Sequence, residues 1–165
     1  MHNKFSYCTA TASDCNLLSS LAEEIWHLHY PSIISLHQIE YMLDLMYSKT
    51  AIAQDLRDGG WWVILEYEKK KVGFMACAMI EEAVCKIQKL YVHPDWQRKG
   101  IGKQAIALAL DYARKNAATM LTLNVNRKNI NSILAYKATG FVVDREENNK
   151  LGPYLLDDYV MSQKV

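Results

Sequence analysis

The chain has 165 residues, of which 50% are hydrophobic and 22% charged, with 19 basic against 18 acidic side chains and a formal net charge of +1. That length is enough for one domain, residues 1–165, with a sizeable core, and the composition excludes a disordered chain, a collagen-like repeat and a disulfide scaffold. The near-zero charge argues against a nucleic-acid binder. The longest apolar stretch, Val72 to Ile80, is the length of a strand and far short of a membrane span.

The charge is unevenly distributed. Residues 1–85 carry 6 basic and 11 acidic groups, whereas residues 86–115 carry 7 basic and 2 acidic. Residues 116–143 add three further positive charges, and residues 144–165 carry 3 basic and 5 acidic groups. A positive segment therefore sits inside a mildly acidic chain. Met1 to Cys8 lacks the apolar run of a secretory leader, which predicts a cytoplasmic protein. The four cysteines, Cys8, Cys15, Cys77 and Cys85, form no Cys-x-x-Cys and no zinc-ligand spacing. They read as reduced structural thiols.

In chain order, residues 5–11 alternate and predict a first strand. Ser13 or Asp14 is placed to cap a helix running to about Leu28, with Leu17, Leu18, Leu21, Ile25 and Leu28 at helical spacing. Tyr30-Pro31 breaks it. A second helix starts at Ser35, and a short third covers Ala51 to Arg57. Asp58-Gly59-Gly60 is a turn. Trp61 to Glu68 and Val72 to Ile80 flank a polar turn of three lysines and predict a hairpin. Ala83 to Val92 is a further strand, ended by His93-Pro94-Asp95. Gly100 to about Asn116 reads as a helix, Met120 to Val125 as a strand, and Asn129 to Thr139 as a short helix stopped by Gly140. Phe141 to Arg145 and Tyr154 to Met161 are two closing strands. The strands run mostly as a meander, so the fold class is α+β, a mixed α/β arrangement.

The stretch Leu90-Tyr91-Val92-His93-Pro94-Asp95-Trp96-Gln97-Arg98-Lys99-Gly100-Ile101-Gly102-Lys103 carries the chemistry. A strand ends, a turn follows, and a helix begins at two glycines. Backbone N–H groups in a first helical turn have no intrahelical partner, and the helix dipole favours an anion there. Glycine lets an anion approach the backbone closely, and Arg98, Lys99 and Lys103 add charge-assisted bonds. The pattern is a phosphate or pyrophosphate cradle. A P-loop is disfavoured because Gln97 stands where its first glycine belongs, and Gln104 where its Ser or Thr belongs. A dinucleotide fold is disfavoured because the apolar run Met120 to Val125 offers no acidic ribose partner. Taken alone, Gly-x-Gly at a helix start is also compatible with a solvated basic turn.

Gln97-Arg98-Lys99-Gly100-Ile101-Gly102 resembles the Gln/Arg-x-x-Gly-x-Gly/Ala signature of the GNAT superfamily of N-acetyltransferases. The preceding Leu90-Tyr91-Val92 is similar to that family's central strand. Asn129-x-x-Ser132-x-x-x-Tyr136-x-x-x-Gly140-Phe141 resembles its second element, with Ser in place of Ala. The resemblance is strongest from about 86 to 142. It implies a central, mostly antiparallel, twisted sheet of about seven strands, with a splayed parallel pair and flanking helices.

It also implies acetyl-CoA as co-substrate, and no metal. Backbone groups of Leu90, Tyr91 and Val92 would pair with the pantetheine arm. A strand N–H near Leu90 or Tyr91 would polarise the thioester carbonyl. Gln97, Arg98, Lys99, Gly100, Ile101, Gly102 and Lys103 would hold the pyrophosphate, and Asn129 the cofactor arm. Tyr136 would contact the cofactor and give a proton to the departing thiolate. An isolated helical tyrosine is more often a core residue; here the motif around it favours the acid.

The expected activity is acetyl transfer to a primary amine, with a small cationic amine or polyamine ranked ahead of a protein or peptide N-terminus. A non-catalytic acyl-CoA-binding module is the competing class. An alkyl amine is only about 0.04% neutral at pH 7, so its proton needs an acceptor. Two positions at which relatives carry a glutamate hold Gln88 and Asn124 here, and amides are not bases. A water relay ordered by Gln88 and Asn124, or a carboxylate such as Glu81, Glu82 or Asp144, would have to serve. Trp26 and Tyr30, near His27, His29 and Pro31, are expected to line the acceptor side, where aromatic rings can cage a cation; ordinary helix-end packing explains them equally well. A metal pair at His27 and His29 is disfavoured, since residues two apart do not share a helical face. The resemblance adds a possible homodimer, and neither nucleic-acid nor membrane partners are expected.

Overall fold

The structure is a computed structural model and describes residues 4–165. The reading of Met1 to Asn3 as part of a leaderless start lies outside the described residues. The elements are β1 (Phe5–Thr9), α1 (Cys15–His29), α2 (Leu36–Tyr47), α3 (Lys49–Arg57), β2 (Trp61–Tyr67), β3 (Lys70–Glu81), β4 (Val84–Val92), α4 (Ile101–Lys115), β5 (Met120–Asn126), α5 (Ile130–Ala138), β6 (Val142–Leu151) and β7 (Tyr154–Lys164). The strands are hydrogen-bonded in the order β1-β2-β3-β4-β5-β7-β6, a mixed α/β arrangement. Among the described strands β4 and β5 form the parallel pair. No described helix is long and apolar enough to cross a membrane.

The chain divides into two compact units. The first runs to Cys77 and takes in Lys89–Ala105; the second is Ala78–Gln88 with Ile106–Val165. In the first unit, every residue from Trp62 to Leu65 and from Val72 to Cys77 is buried. These runs are apolar without alternation because both faces of β2 and β3 are covered. Leu18, Ala22 and Ile25 of α1, Ile39 of α2 and Ile52 of α3 are almost wholly buried. Ser35 and Ser48 start α2 and α3 by accepting from the backbone N–H of Gln38 and Ala51 at 3.2 and 3.3 Å. Each satisfies a donor the helix itself leaves unpaired. His27 ties α1 to α2 through Glu40 at 2.6 Å. Its pKa is raised by the Glu23 carbonyl and by Glu40.

Gly73 decides how closely β3 approaches β4. A Cβ placed there would collide with the Tyr91 carbonyl oxygen and lie 3.1 Å from Val92 Cα. One residue earlier, the Val72 carbonyl accepts from the His93 N–H at 2.8 Å. Only a residue without a side chain fits this approach.

In the second unit, β5 pairs with β7 from Met120↔Lys164 to Asn126↔Asp158, and β7 pairs with β6. The parallel pairing of β4 with β5 runs from Val84↔Met120 to Ile87↔Leu123. Gln88 and Asn124 are the next residues on the two strands. Along α4, whose first turn belongs to the first unit, Ile101, Ala105, Ala109 and Ala113 are buried at four-residue spacing, a narrow apolar stripe.

Several boundaries differ from the sequence reading, and three of them have a physical reason visible in the structure. β1 ends at Thr9, because Thr11 is already engaged in a reciprocal cap with Asp14 ahead of α1. β6 continues to Leu151 instead of Arg145, and β7 to Lys164 instead of Met161. The stretch Glu146 to Lys150 has no apolar alternation. Its strand conformation comes from backbone pairing with β7 across the two-residue turn Gly152-Pro153, where Gly152 has φ 56°.

Candidate functional site

In the first unit, β4 ends at Val92 and a short loop leads into α4. Arg98 and Gly100 take φ values of 61° and 78°, so the loop reverses through two left-handed residues. The Gln97 side chain does not project from this loop. Its amide donates to the Val92 carbonyl at 3.1 Å and fastens the loop to the strand end. Gln97 therefore acts on the loop's position. Arg98 and Lys103 are exposed. The Lys99 ammonium rests over Trp96 and Tyr67, 5.9 and 6.0 Å from their ring centres.

The two glycines bear on whether an anion fits. A Cβ added at Gly100 or Gly102 meets nothing within 4 Å. Packing therefore does not require glycine at 102, whose φ is also not in the left-handed range. What glycine leaves there is open space over the first backbone N–H groups of α4, with Arg98 and Lys103 at its margin. A phosphate-bearing substrate fits that donor set.

The acceptor-side residues named from the sequence also fall in the first unit. Trp26 is 2% exposed, and its ring centre lies 4.3 Å from Tyr30, 5.2 Å from Tyr47 and 5.6 Å from Tyr91. The Tyr30 and Tyr91 hydroxyls are 3.3 Å apart. Tyr47 and Tyr91 escaped the sequence reading as acceptor-side residues. Tyr47 is the last residue of α2, and only the fold brings it to Trp26.

In the second unit, Asn124 donates to Glu147 Oε2 at 2.8 Å and also bonds Asp158. Glu147 and Asp158 face each other across the β6/β7 pair, and Asp158 is paired with Asn126 of β5. The two carboxylates are pushed in opposite directions. The Asn124 hydrogen bond holds Glu147 below the usual carboxylate range. Burial raises Asp158, and the negative charges of Glu147 and Asp157 add to the rise. The amide at 124 is thus one hydrogen bond from two carboxylates. The sequence reading looked to Glu81, Glu82 and Asp144, all exposed, the first two at the turn between β3 and β4. Glu147 and Asp158 were missed because only strand pairing brings them to Asn124. Gln88 is exposed.

Asn129 is 6% exposed and caps α5; its N–H donates to the Asn126 carbonyl at 2.9 Å. Two turns on, the Tyr136 ring packs edge-on to Phe141 at 5.8 Å. The Tyr136 hydroxyl makes no hydrogen bond among the described residues. Burial pushes its pKa to about 12, so the phenol carries its proton at neutral pH. Asn129 and Tyr136 thus share one helix, Asn129 at its N-cap position and Tyr136 with a hydroxyl not spent on another described residue.

The profile of the acetyltransferase (GNAT) family matches residues 22–141. The chain belongs to the GNAT acetyltransferase family. An N-acetyltransferase of uncharacterised substrate from Methanocaldococcus jannaschii is 35% identical over 91 residues, 52% of this chain and 40% of that relative. The chain thus matches well under half the length of that GNAT relative. A peptidyl-lysine N-acetyltransferase of Salmonella typhimurium is 33% identical over 107 residues, 64% of this chain and 67% of the relative. Among solved GNAT folds, the PaiA N-acetyltransferase of Thermoplasma acidophilum in complex with coenzyme A superposes with a TM-score of 0.84 at 22% identity, covering 99% of this chain and all of that one. The fold expected from the two motifs is therefore the fold observed, and acyl transfer is the chemistry of the relatives.

Proposed function

We propose that residues 1–165 act as one acetyl-CoA-dependent N-acetyltransferase domain that moves an acetyl group to a primary amine by direct attack on the thioester. The observation that carries this is the turn from β4 into α4. Its backbone is left open at Gly100 and Gly102 and flanked by Arg98 and Lys103, in a chain of the GNAT family. The coenzyme A held by the Thermoplasma acidophilum structure supports the same co-substrate.

In this reading the first turn of α4, with Arg98, Lys99 and Lys103, binds the pyrophosphate. The backbone of Leu90 to Val92 and the Asn129 side chain hold the pantetheine arm. The neutral amine forms the new C–N bond at the thioester carbonyl, and the C–S bond breaks. Tyr136 delivers its proton to the sulfur and is reprotonated from solvent. Asp158 takes the proton released by the amine through a water relay that Asn124 orders, and Asn124 itself carries no proton. A carboxylate whose pKa is raised by burial is a stronger base in its ionised form.

The test is release of free thiol from acetyl-CoA across a panel of amines, polyamines and peptides. Coenzyme A binding with no thiol release from any amine overturns the reading in favour of a binding module. Asp158→Asn is expected to lower kcat/KM by about ten- to hundredfold and to remove the acidic limb of its pH profile. The sign follows from the raised pKa: the base is ionised above it, and activity falls as pH drops through it. An Asp158→Asn variant with the parent's pH profile rejects this proton acceptor.

A further inference from the structure

The aromatic cluster of the first unit contains a charged group that acetyl transfer as written above does not use. Lys89 lies on β4, one residue before Leu90, and its ammonium is mostly buried. It sits 5.1 Å from the Trp62 ring centre and 5.6 Å from that of Tyr47. Among the described residues it forms no ion pair. The carboxylate whose charge acts on it is Asp55, which already accepts from Trp62 Nε1 at 2.5 Å. Burial drives the Lys89 pKa down.

Tyr47 joins Lys89 to a second donor that is poorly satisfied. Trp26 also packs against Tyr47, with ring centres 5.2 Å apart. Its Nε1 is buried near the Tyr47 hydroxyl without a hydrogen bond of good geometry. A buried N–H left unpaired is costly and is uncommon in native structures. Around these two groups stand the hydroxyls of Tyr30, Tyr47 and Tyr91, which can donate or accept. The cluster is therefore rich in donors and already holds its own cation. A cage of this kind has no place for a second ammonium, because like charges in a partly buried site repel strongly. What it lacks is an oxygen acceptor with negative charge.

We infer that this cluster reads a carboxylate on the acceptor, with the Lys89 ammonium as counter-ion and the Trp26 indole N–H as hydrogen-bond donor. The substrate class is an amino acid or similar amine that carries an acid group, and polyamines are turned away. The inference rests on the acetyltransferase reading and narrows its acceptor. It replaces the expectation that Trp26 and Tyr30 cage a cationic amine. The cation there is the protein's own.

Three amines of matched chain length test it: 4-aminobutanoate, butylamine and 1,4-diaminobutane. The parent enzyme is expected to favour 4-aminobutanoate over 1,4-diaminobutane by at least about tenfold in kcat/KM. Lys89→Met is expected to reduce that ratio about tenfold or more, and Lys89→Arg, which keeps the charge, to retain it. The Arg variant, checked by circular dichroism, keeps the test valid if the Met variant misfolds. A second readout needs no catalysis: butanoate should shift the Trp26 indole N–H resonance in the parent and not in Lys89→Met. The inference is overturned if 1,4-diaminobutane is used as well as 4-aminobutanoate, or if the ratio survives Lys89→Met within twofold. Thiol release without carboxylate preference sinks this inference and leaves the acetyltransferase reading standing. A butanoate-induced shift with no thiol release from any amine does the reverse.

Discussion

Tyr136→Phe is expected to lower kcat by about 10²- to 10³-fold, the range for removing a positioned general acid. The substitution deletes one oxygen and keeps the ring against Phe141, so the fold should be untouched. Coenzyme A affinity, measured by calorimetry, should stay within about threefold, since the phenol's main contribution is to the leaving group. The loss should shrink when the acyl donor carries a thiol of lower pKa, because a better leaving group needs less help from an acid. A Tyr136→Phe enzyme with the parent's kcat would end the acid assignment. A variant that loses coenzyme A binding along with turnover would make Tyr136 a binding residue. At neutral pH the parent's phenol is almost entirely protonated, with a pKa of about 12. Any alkaline limb in kcat should then lie far above the working range.

Gly73→Ala is expected to destabilise the protein by about 2–3 kcal/mol, the upper range for overpacking a close-packed interior. The new methyl would run into the Tyr91 carbonyl oxygen. Its neighbour is backbone on a central strand, which cannot swing aside as a flexible side chain would. For a domain of this size the melting temperature should fall by about 5–10 °C. The displaced backbone is the Tyr91–Val92 segment proposed to hold the pantetheine arm, so KM for acetyl-CoA should rise as well. A Gly73→Ala protein that melts within about 1 °C of the parent would show that β3 yields there, and would remove the link between the glycine and the cofactor strand.

More of the proposed cofactor side than of the proposed acceptor side was legible in the sequence, for a physical reason. Phosphate recognition at a strand–helix turn is local: the glycines, the cations and the helix start lie within six residues, Arg98 to Lys103, and can be read in a line. The same holds for Asn129 and Tyr136, two turns apart on α5. Element order was legible as well, because the apolar runs of β2, β3 and β5 and the serine caps of α2 and α3 are local signals. Acceptor chemistry is assembled from pairing and packing. Asp158 reaches Asn124 only through the register of β5 and β7, and Glu147 only through β6. Gly73 reads along the chain as one more small residue in a strand, and its role comes from the Tyr91 carbonyl that the fold sets against it. Lys89 lies inside a strand legible from the sequence, but nothing in its neighbourhood along the chain announces Trp62 and Tyr47. The charged tail of β6 hid a strand for the same reason, since backbone pairing leaves no mark on side-chain pattern.

That tail has a consequence for how the protein survives at high concentration. β6 closes one end of the strand order, so its outer backbone groups face no neighbouring strand within the described chain. Such a rim is a template on which another molecule's strand can grow. From Asp144 to Lys150 the sequence reads Asp-Arg-Glu-Glu-Asn-Asn-Lys, without a β-branched or aromatic residue. A second copy stacking there in register would set like charges directly opposite one another and strip them of water. The composition that made this strand hard to foresee also opposes in-register stacking on that rim.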